Sequence, residues 1–325
     1  MNIVKINNLS IYFPIYRGLF RRTIGNVKAV DKVSFTINKG ETLGLVGESG
    51  CGKTTIGKAL LNIFKPTQGN IEYFFKNDNI IINKESYLKK NIILQKNVQL
   101  ILQDPFSSLN PRLNILEILS EPIKNKNYKF TKKEILDKIS EILDLCKLEK
   151  DFLYRYPHEF SGGQRQRISI ARALINKPEL VVCDESVSAL DVSIQSEIIN
   201  LLNDLKNKIN VSYLFISHDL NVVGYMSDKI AVMYLGKIVE IGSKHQILQN
   251  STHPYTQALL ETAPVITRNK IKIKNPIKGE IPDIKHEILG CTFASRCKFS
   301  VEKCHKIPPP YLKINNGHFS KCYFK

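Results

Sequence analysis

The segment LGLVGESGCGKTT, Leu43–Thr55, decides the fold of this 325-residue chain. It contains the pattern G-x-x-x-x-G-K-[ST], whose fixed positions are Gly47, Gly52, Lys53 and Thr54. A short apolar stretch typical of a buried strand precedes the pattern, and a helical pattern follows it. This order of strand, glycine-rich turn and helix is the context that a phosphate-binding loop requires. The segment therefore predicts an α/β fold with a phosphate site at the end of a strand.

The chemistry expected of this loop follows from its residue types. Glycines let backbone N–H groups point inward around a pyrophosphate without side chains in the way. Lys53 can reach the β- and γ-phosphates of a nucleotide, and the Thr54 hydroxyl can bind Mg²⁺. The residues that we expect to contact the nucleotide here are Gly47, Glu48, Ser49, Gly50, Cys51, Gly52, Lys53, Thr54 and Thr55.

Two later strands are predicted to bring further polar side chains to the same site. In LVVCDES an apolar strand ends at Asp184, a candidate metal ligand, and Glu185 follows as a candidate general base. His218 in LFISHDL also follows an apolar strand. Ligands of open parallel sheets bind at the carboxyl ends of the strands, so we expect His218 to contact the γ-phosphate.

A second anion site is predicted more than one hundred residues later, in HEFSGGQRQRISIARAL, His158–Leu174. Ser161 has the residue type of a helix N-cap, and Ile168 and Ala171 lie on an apolar helix face. A helix N-terminus that begins with two glycines favours an anion. The phosphate loop already supplies one such site, which raises the question of whose anion the second site binds.

Composition and charge exclude several classes of protein. A content of 43% apolar residues is enough for a sizeable core. No apolar run approaches the roughly eighteen residues that span a bilayer, and the N-terminus MNIVKINNLS alternates like a strand, so we expect a cytosolic protein. The formal charge of +17 would suit nucleic acid, but the lysines are scattered along the chain and direct nucleic-acid binding is not predicted.

Patterning divides the chain into a nucleotide-binding domain, residues 1–250, and a separate C-terminal extension, residues 251–325. NIVKINNLSIYF, VSFTI and TLGLV predict strands, KTTIGKALLNIF a helix, and PELVVCDES, VSYLFISHD and KIAVMYLG buried parallel strands. Residues from about 104 to 176 predict a helical subdomain. The polar stretches PIYRGLFRRTIGN and KNDNIIINKESYLKKN are expected to be surface loops. The extension contains a lysine-rich stretch, prolines and four of the seven cysteines.

Six motifs in a fixed order resemble those of the ATP-binding subunits of ABC transporters. They are the phosphate loop, LQDP with Gln103, SGGQRQR, VVCDE, SALD with Asp191, and SHD with His218. The resemblance covers nearly the whole chain and implies an ABC-type P-loop NTPase domain of the α/β class. It also implies an antiparallel β subdomain, a helical subdomain and a small cysteine-containing C-terminal extension.

The resemblance implies a division of labour at the ATP site. Glu185 would activate the attacking water, His218 would hold the γ-phosphate, and Gln103 would sense both the metal and the transmembrane partner. The catalytic residues so implied are Glu185, His218, Lys53 and Gln103. The Mg²⁺ ligands so implied are Thr54, Gln103 and Asp184.

The resemblance also answers the question of the second anion site. In this family the glycine-rich helix start caps the γ-phosphate of ATP bound to a second ATPase chain, and Asp191 would reach across the same dimer. The residues expected on the partner's ATP are Ser161, Gly162, Gly163 and Gln164. Adenine would stack on Phe13, with Tyr12 as the alternative.

Four strings are similar to the ATPases of oligopeptide and dipeptide importers: GESGCGKTT, LQDPFSSLNPR, SVSALDVSIQ, and HPYTQALL followed by GEIPD. This resemblance implies an energy-coupling subunit at the cytoplasmic face of the cell membrane. Its partners would be a homologous second ATPase, two transmembrane permeases and, indirectly, an extracytoplasmic substrate-binding protein. Two alternatives stay open, namely import of nickel or another small solute, and a non-transport ABC ATPase acting on nucleic acid or ribosomes.

The C-terminal cysteines form the array C-x5-C-x6-C-x17-C, whose members are Cys291, Cys297, Cys304 and Cys322. A cytosolic location argues against disulfides, and the gaps are wider than those of common structural zinc sites. Spacing alone leaves a [4Fe–4S] cluster and Zn²⁺ both open, whereas the resemblance to peptide importers implies the cluster. We interpret His305 as a bystander. The cysteines interpreted as small apolar fillers are Cys51, Cys146 and Cys183.

Overall fold

The computed structural model describes residues 1–18, 22–86, 92–124, 130–262, 265–267, 270–272, 279–280, 282 and 288–324. The lysine-rich stretch predicted after residue 268 lies largely outside these residues, as does part of GEIPD. The described residues contain two sheets that carry the main core, flanked by helices.

The strands follow the order that the sequence predicts for the cassette and add several short ones. Their bounds are β1 Asn2–Arg17, β2 Arg22–Asn38, β3 Thr42–Val46, β4 Gln68–Phe74, β5 Asn79–Ile82, β6 Val98–Ile101, β7 Leu180–Asp184, β8 Ser212–Ser217, β9 Lys229–Tyr234, β10 Lys237–Ser243, β11 Val265–Thr267, β12 Lys270–Lys272, β13 Leu312–Asn315 and β14 His318–Ser320.

The helices lie mainly between β6 and β7 and on the faces of the larger sheet. Their bounds are α1 Lys53–Leu60, α2 Ile92–Asn97, α3 Pro105–Ser108, α4 Ile115–Lys124, α5 Lys132–Leu145, α6 Gly162–Leu174, α7 Val192–Ile209, α8 Leu220–Met226, α9 Lys244–Gln249, α10 Pro254–Thr262 and α11 Glu302–Lys306. Short 3₁₀ helices cover Lys150–Tyr154, Pro157–Glu159 and Ala294–Arg296.

The larger sheet has the strand order β13-β14-β10-β9-β3-β8-β7-β6. β6, β7, β8, β3 and β9 pair in parallel, whereas β10, β14 and β13 are antiparallel additions. A parallel sheet is buried on both faces, and every residue of β3 and β8 is buried. This confirms the parallel strands that the short apolar runs predict, and it places the carboxyl ends of β3, β7 and β8 at one edge.

The smaller sheet is antiparallel, with the order β2-β1-β4-β5. The expectation of surface loops is wrong for both polar stretches in this region. Residues of PIYRGLFRRTIGN extend β1 and β2 as a hairpin, in which Ile15 pairs with Gly25. KNDNIIINKESYLKKN contains β5, where Ile80 and Ile82 are buried while Ile81 is exposed. Pairing satisfies the backbone N–H and C=O groups, and one alternating face is enough to anchor such a strand.

Helices α3 to α6 form the predicted helical subdomain, and the described residues between β6 and β7 contain no strand. Helix α5 begins at a capping box, in which Thr131 accepts from the Glu134 N–H and Glu134 accepts from the Thr131 N–H. Its buried face includes Ile139 and Leu143. These side chains belong to the same apolar core as the helix-covered face of the larger sheet, so the subdomain is packed on the sheet rather than separate from it.

The C-terminal residues are joined to the larger sheet. Strand β14 pairs with β10, with Ser320 opposite Glu240. The His318 ring lies 2.9 Å from the Glu240 carboxylate, and both side chains are fully buried. The predicted boundary at residue 250, between the nucleotide-binding domain and the C-terminal extension, stays a prediction. Strand β14 of the extension pairs with β10 of the domain, so one sheet contains residues from both sides of this boundary.

We predict that the helical subdomain is stabilised by the buried face of α5. Leu143 is 0% exposed and Leu136, on the same helix, is 46% exposed. Leu143→Ala should lower the free energy of unfolding by about 2–5 kcal/mol because it leaves a cavity. Leu136→Ala is the matched control and should cost less than about 1 kcal/mol. Urea unfolding followed by circular dichroism measures both, and equal losses would contradict the packing described here.

Candidate functional site

The phosphate loop connects β3 to α1, as the sequence predicts. The Lys53 ammonium donates hydrogen bonds to the Gly47 carbonyl at 2.7 Å and to the Glu48 carbonyl at 3.0 Å. Lys53 is only 4% exposed, so its positive charge lies inside the curve of the loop. A phosphate bound there would offer the Lys53 ammonium acceptors of opposite charge in place of these neutral carbonyl oxygens.

Two glycines of the loop are required by the close approach of neighbouring backbone. Gly52 has φ +107°, and a Cβ there would lie 2.2 Å from the Ala29 carbonyl oxygen. A Cβ at Gly47 would lie 2.1 Å from the Met233 carbonyl oxygen. Both distances are far inside van der Waals contact, so any side chain would displace the loop.

The predicted metal ligands Thr54 and Asp184 are adjacent in the structure. The Thr54 hydroxyl donates a hydrogen bond to the Asp184 carboxylate at 3.0 Å. Burial raises the pKa of Asp184, and the neighbouring Glu185 carboxylate raises it further, against the lowering effect of the Thr54 hydrogen bond. A cation at this position would relieve that repulsion, and carboxylate and hydroxyl oxygens are ligands that Mg²⁺ prefers.

Glu185 and His218 follow the neighbouring strands β7 and β8 and approach each other. Glu185 has φ +48°, and its N–H donates to the Ile216 carbonyl at 3.0 Å, which fixes the turn after β7. Its carboxylate lies 3.7 Å from the His218 Nδ1 atom. This distance is an electrostatic approach and not a hydrogen bond. Both residues follow strands whose carboxyl ends lie at the same sheet edge as the phosphate loop.

Gln103 lies near the same turn, just beyond β6. Its side-chain amide donates to the Ser188 hydroxyl at 3.4 Å, and that hydroxyl donates to the Glu185 carbonyl at 2.9 Å. Within the described residues, no hydrogen bond joins Gln103 to Thr54 or Asp184. Its predicted role as a metal ligand therefore stays a prediction.

The predicted anion-binding helix terminus forms a complete capping box. The Ser161 hydroxyl accepts from the Gln164 N–H at 3.4 Å, and the Gln164 side chain accepts from the Ser161 N–H at 3.0 Å. Gly163 packs against α7, since a Cβ there would lie 2.7 Å from an Ile194 methyl group. In the described part of the chain, no hydrogen bond connects these residues to the phosphate loop. Asp191, at the start of α7, is exposed and caps no N–H group.

The two aromatic candidates for adenine stacking have partners within the chain. The Phe13 ring packs edge-on against Phe64, with ring centroids 5.2 Å apart. The Tyr12 hydroxyl donates to the Asp31 carboxylate at 2.8 Å. The stacking assignment stays a prediction for both residues.

The four C-terminal cysteines line one cavity. All four are free thiols, namely Cys291, Cys297, Cys304 and Cys322. The void between them is about 10 Å³, and burial raises the pKa of Cys291 to about 11. Among the described residues, no group of three or more His, Cys, Asp or Glu side chains is arranged to hold a metal ion.

The remaining cysteines are buried, as their interpretation as apolar fillers requires, whereas the interpretation of His305 as a bystander stays a prediction. Cys51, Cys146 and Cys183 are buried, and burial raises the pKa of Cys146 to about 12. The His305 ring contacts the Ser300 hydroxyl at 3.0 Å and is absent from the lining of the cysteine cavity. Sequence reasoning missed His253, which lines this cavity and whose pKa burial lowers to about 4. His253 is the first residue of HPYTQALL, one of the strings that resemble peptide-importer ATPases, and this position could have identified it as a candidate.

Comparison with known families settles the class of this chain. Residues 30–188 match the ABC transporter family, and residues 239–304 match the C-terminal region of oligopeptide and dipeptide transporters. The oligopeptide transport ATP-binding protein AppF of Bacillus subtilis (strain 168) is 48% identical over 324 residues, which cover 99% of this chain and 97% of that protein. The chain belongs to the ABC transporter ATP-binding subunits.

Other relatives of this ABC ATPase carry similar names. The oligopeptide transport ATP-binding protein OppF and the dipeptide transport ATP-binding protein DppF, both of Haemophilus influenzae, are each 42% identical. These alignments cover 98% and 97% of this chain, and 96% and 94% of the relatives. The family confirms that the subunit is an ATPase that uses ATP with Mg²⁺.

Solved structures confirm the cassette fold of the ABC ATPase. A dimeric, post-hydrolysis structure of the ATP-binding cassette MJ0796 with ADP and Pi aligns with a TM-score of 0.61 at 26% identity. The alignment covers 74% of this chain and 98% of that cassette. In the described residues, no helix has both the length and the apolar character needed to span a membrane.

We predict that Lys53 is indispensable for nucleotide binding. Lys53→Ala removes the charge enclosed by the phosphate loop and should abolish both ATP binding and turnover. Calorimetry with Mg²⁺ and ATP measures the binding, and the circular dichroism spectrum should stay unchanged. The control variant Lys65→Ala removes an exposed lysine that follows α1, and it should bind ATP normally. Normal ATP binding by Lys53→Ala would show that the site lies elsewhere.

Proposed function

We propose that this ABC ATPase is the energy-coupling subunit of an importer of oligopeptides or dipeptides. One observation carries the proposal: a single sheet edge brings together the phosphate loop, the hydrogen-bonded pair of Thr54 and Asp184, and the neighbouring side chains of Glu185 and His218. The C-terminal family match and the names of the relatives support a peptide as the solute.

Within one chain, the residues divide the work of hydrolysis. Lys53 would bind the β- and γ-phosphates, and Thr54 and Asp184 would hold Mg²⁺, whose positive charge would stabilise negative charge on the phosphate oxygens. Glu185 would accept a proton from the attacking water, since it follows β7 at the sheet edge where the phosphate loop lies. His218, which lies 3.7 Å from Glu185, holds the γ-phosphate in line with that water.

The site is completed by a second ATPase chain. The Ser161 helix terminus and Asp191 are exposed and, among the described residues, make no hydrogen bond to their own phosphate loop. A head-to-tail pair would place Ser161, Gly162, Gly163 and Gln164 of each chain over the γ-phosphate of the other. ATP then joins the two subunits, and its hydrolysis releases them. The dimeric MJ0796 structure provides a precedent in a related cassette.

The permease partners are expected to contact the cleft between the helical subdomain and the core. A cavity of about 440 Å³ lies there, and its lining includes the apolar residues Leu100, Leu102 and Ala173. Glu121 and Arg172 also line it and would bind polar groups of an inserted helix. Two permeases in this position would hold the subunit at the cytoplasmic face of the membrane. A homologous second ATPase and an extracytoplasmic binding protein would complete the importer.

The C-terminal extension, residues 251–325, is proposed to hold a [4Fe–4S] cluster, with Zn²⁺ as the alternative. Four free thiols around one largely apolar cavity are a suitable donor set for either group. The void of about 10 Å³ has room for about one water, so the thiols must move apart to accept a cluster. The cluster would stabilise a segment that has little apolar core of its own.

We predict that Glu185→Gln separates ATP binding from hydrolysis. The amide keeps the shape of the side chain but cannot accept the proton, so ATP should bind and trap a closed dimer. Size-exclusion chromatography with ATP and a phosphate-release assay measure the two effects. Glu141→Gln, an exposed residue paired with Lys177, is the control and should behave as the wild type. Turnover by Glu185→Gln at the wild-type rate would refute the assigned base.

We predict that the purified subunit contains iron and acid-labile sulfide, and is brown. Cys304→Ser should lose the iron and the colour, whereas Cys146→Ala, which removes a buried thiol outside the cavity, should keep both. Metal analysis and the visible spectrum measure these contents. Zinc without iron in the wild-type protein would favour the alternative and exclude the cluster.

A further inference from the structure

The C-terminal extension contacts the phosphate loop through an ion pair. The Arg296 guanidinium donates two hydrogen bonds to the Glu48 carboxylate, from Nη1 to Oε2 at 2.6 Å and from Nη2 to Oε1 at 2.9 Å. The Arg296 side chain is 5% exposed and that of Glu48 is 23% exposed. Such a parallel pair of bonds fixes both the distance and the orientation of the two groups.

An aromatic cluster holds the same loop residue by its backbone. The Tyr255 hydroxyl accepts a hydrogen bond from the Glu48 N–H at 2.9 Å. The Tyr255 ring packs against Tyr234, with centroids 4.6 Å apart, and against Phe293 at 5.2 Å. The Tyr234 hydroxyl lies 3.3 Å from Arg296 Nη1. The aromatic cluster is therefore in contact with the ion pair of Arg296 and Glu48.

Glu48 has the wrong charge for a loop that surrounds a triphosphate. A carboxylate beside the phosphates repels them, and the repulsion is strong where little water separates the groups. The paired guanidinium cancels this charge. The Glu48 carbonyl also accepts from the Lys53 ammonium, so the position of Glu48 influences the lysine that binds phosphate.

We propose that Arg296 is a positioning residue for ATP binding: it neutralises and fixes Glu48, and through this contact the C-terminal extension sets the affinity of the phosphate loop for ATP. The proposal deepens the proposed function and rests on the phosphate loop as the ATP site. Arg296 need not touch the nucleotide, because it acts through Glu48.

The test compares ATP affinity with turnover in the full-length protein. Arg296→Gln should weaken binding of Mg²⁺ and ATP about tenfold or more, because it leaves the Glu48 carboxylate unpaired beside the phosphates. The value of kcat at saturating ATP should stay within about twofold, since Arg296 contacts no reacting atom. Arg296→Lys keeps the charge and should recover most of the affinity. Lys298→Ala removes a neighbouring, exposed lysine and is the matched control.

Removing the carboxylate gives the sharpest readout. In the Glu48→Gln background, adding Arg296→Gln should change the ATP affinity by no more than about threefold, because no carboxylate is then left unpaired. A purely structural contact predicts additive losses instead. Additive losses, unchanged affinity in Arg296→Gln, or loss of the folded state in either variant would overturn the proposal.

The variant Lys53→Ala separates this proposal from the function on which it rests. If Lys53→Ala fails to bind ATP while Arg296→Gln binds it with wild-type affinity, only the role of Arg296 is wrong. If Lys53→Ala binds ATP normally, the assigned ATP site itself is wrong.

Discussion

Every functional feature of this ABC ATPase depends on the parallel pairing of β3, β7 and β8. The register places Val46 opposite Ser217, and Asp184 opposite Ile216, so the three strands end at nearly the same level. The residues that follow them are the phosphate loop, Glu185 and His218. A slip of one residue would turn each strand's side chains to the other face and separate these groups. The pairing of the strand backbones therefore determines where the catalytic side chains lie relative to one another.

The sequence predicted this part of the molecule well because its signals are local. The strand, glycine turn and lysine of the phosphate loop are contiguous, and short apolar runs identify buried parallel strands. Strand β5 was missed because polar composition hides a strand that is anchored by one buried face, and the hairpin after Pro14 was missed because its residues are mostly exposed and are held by backbone pairing. The contact of Arg296 with Glu48 joins residues 248 positions apart, and no local pattern announces it.

The C-terminal extension is fixed to the cassette at two places by charged groups, in addition to the packing of Tyr255 and Phe293 against Tyr234. At one place Arg296 holds Glu48. At the other, the buried Glu240 carboxylate accepts hydrogen bonds from the backbone of Thr252 and His253 and lies against the His318 ring. A buried carboxylate is tolerated only when its oxygens are satisfied in this way. Such contacts are directional, so they define where the cysteine cavity lies relative to the nucleotide site.

The pairing of β14 with β10, and of β13 with β14, has a further consequence for the nascent chain during synthesis. Strands β13 and β14 follow β10 in the chain and cover its open side, so they are made after it. Until they arrive, β10 presents a row of unpaired amide and carbonyl groups, which is a template for association with another chain. The open side of β10 is therefore protected against such association only once β14 has been made and has paired with it.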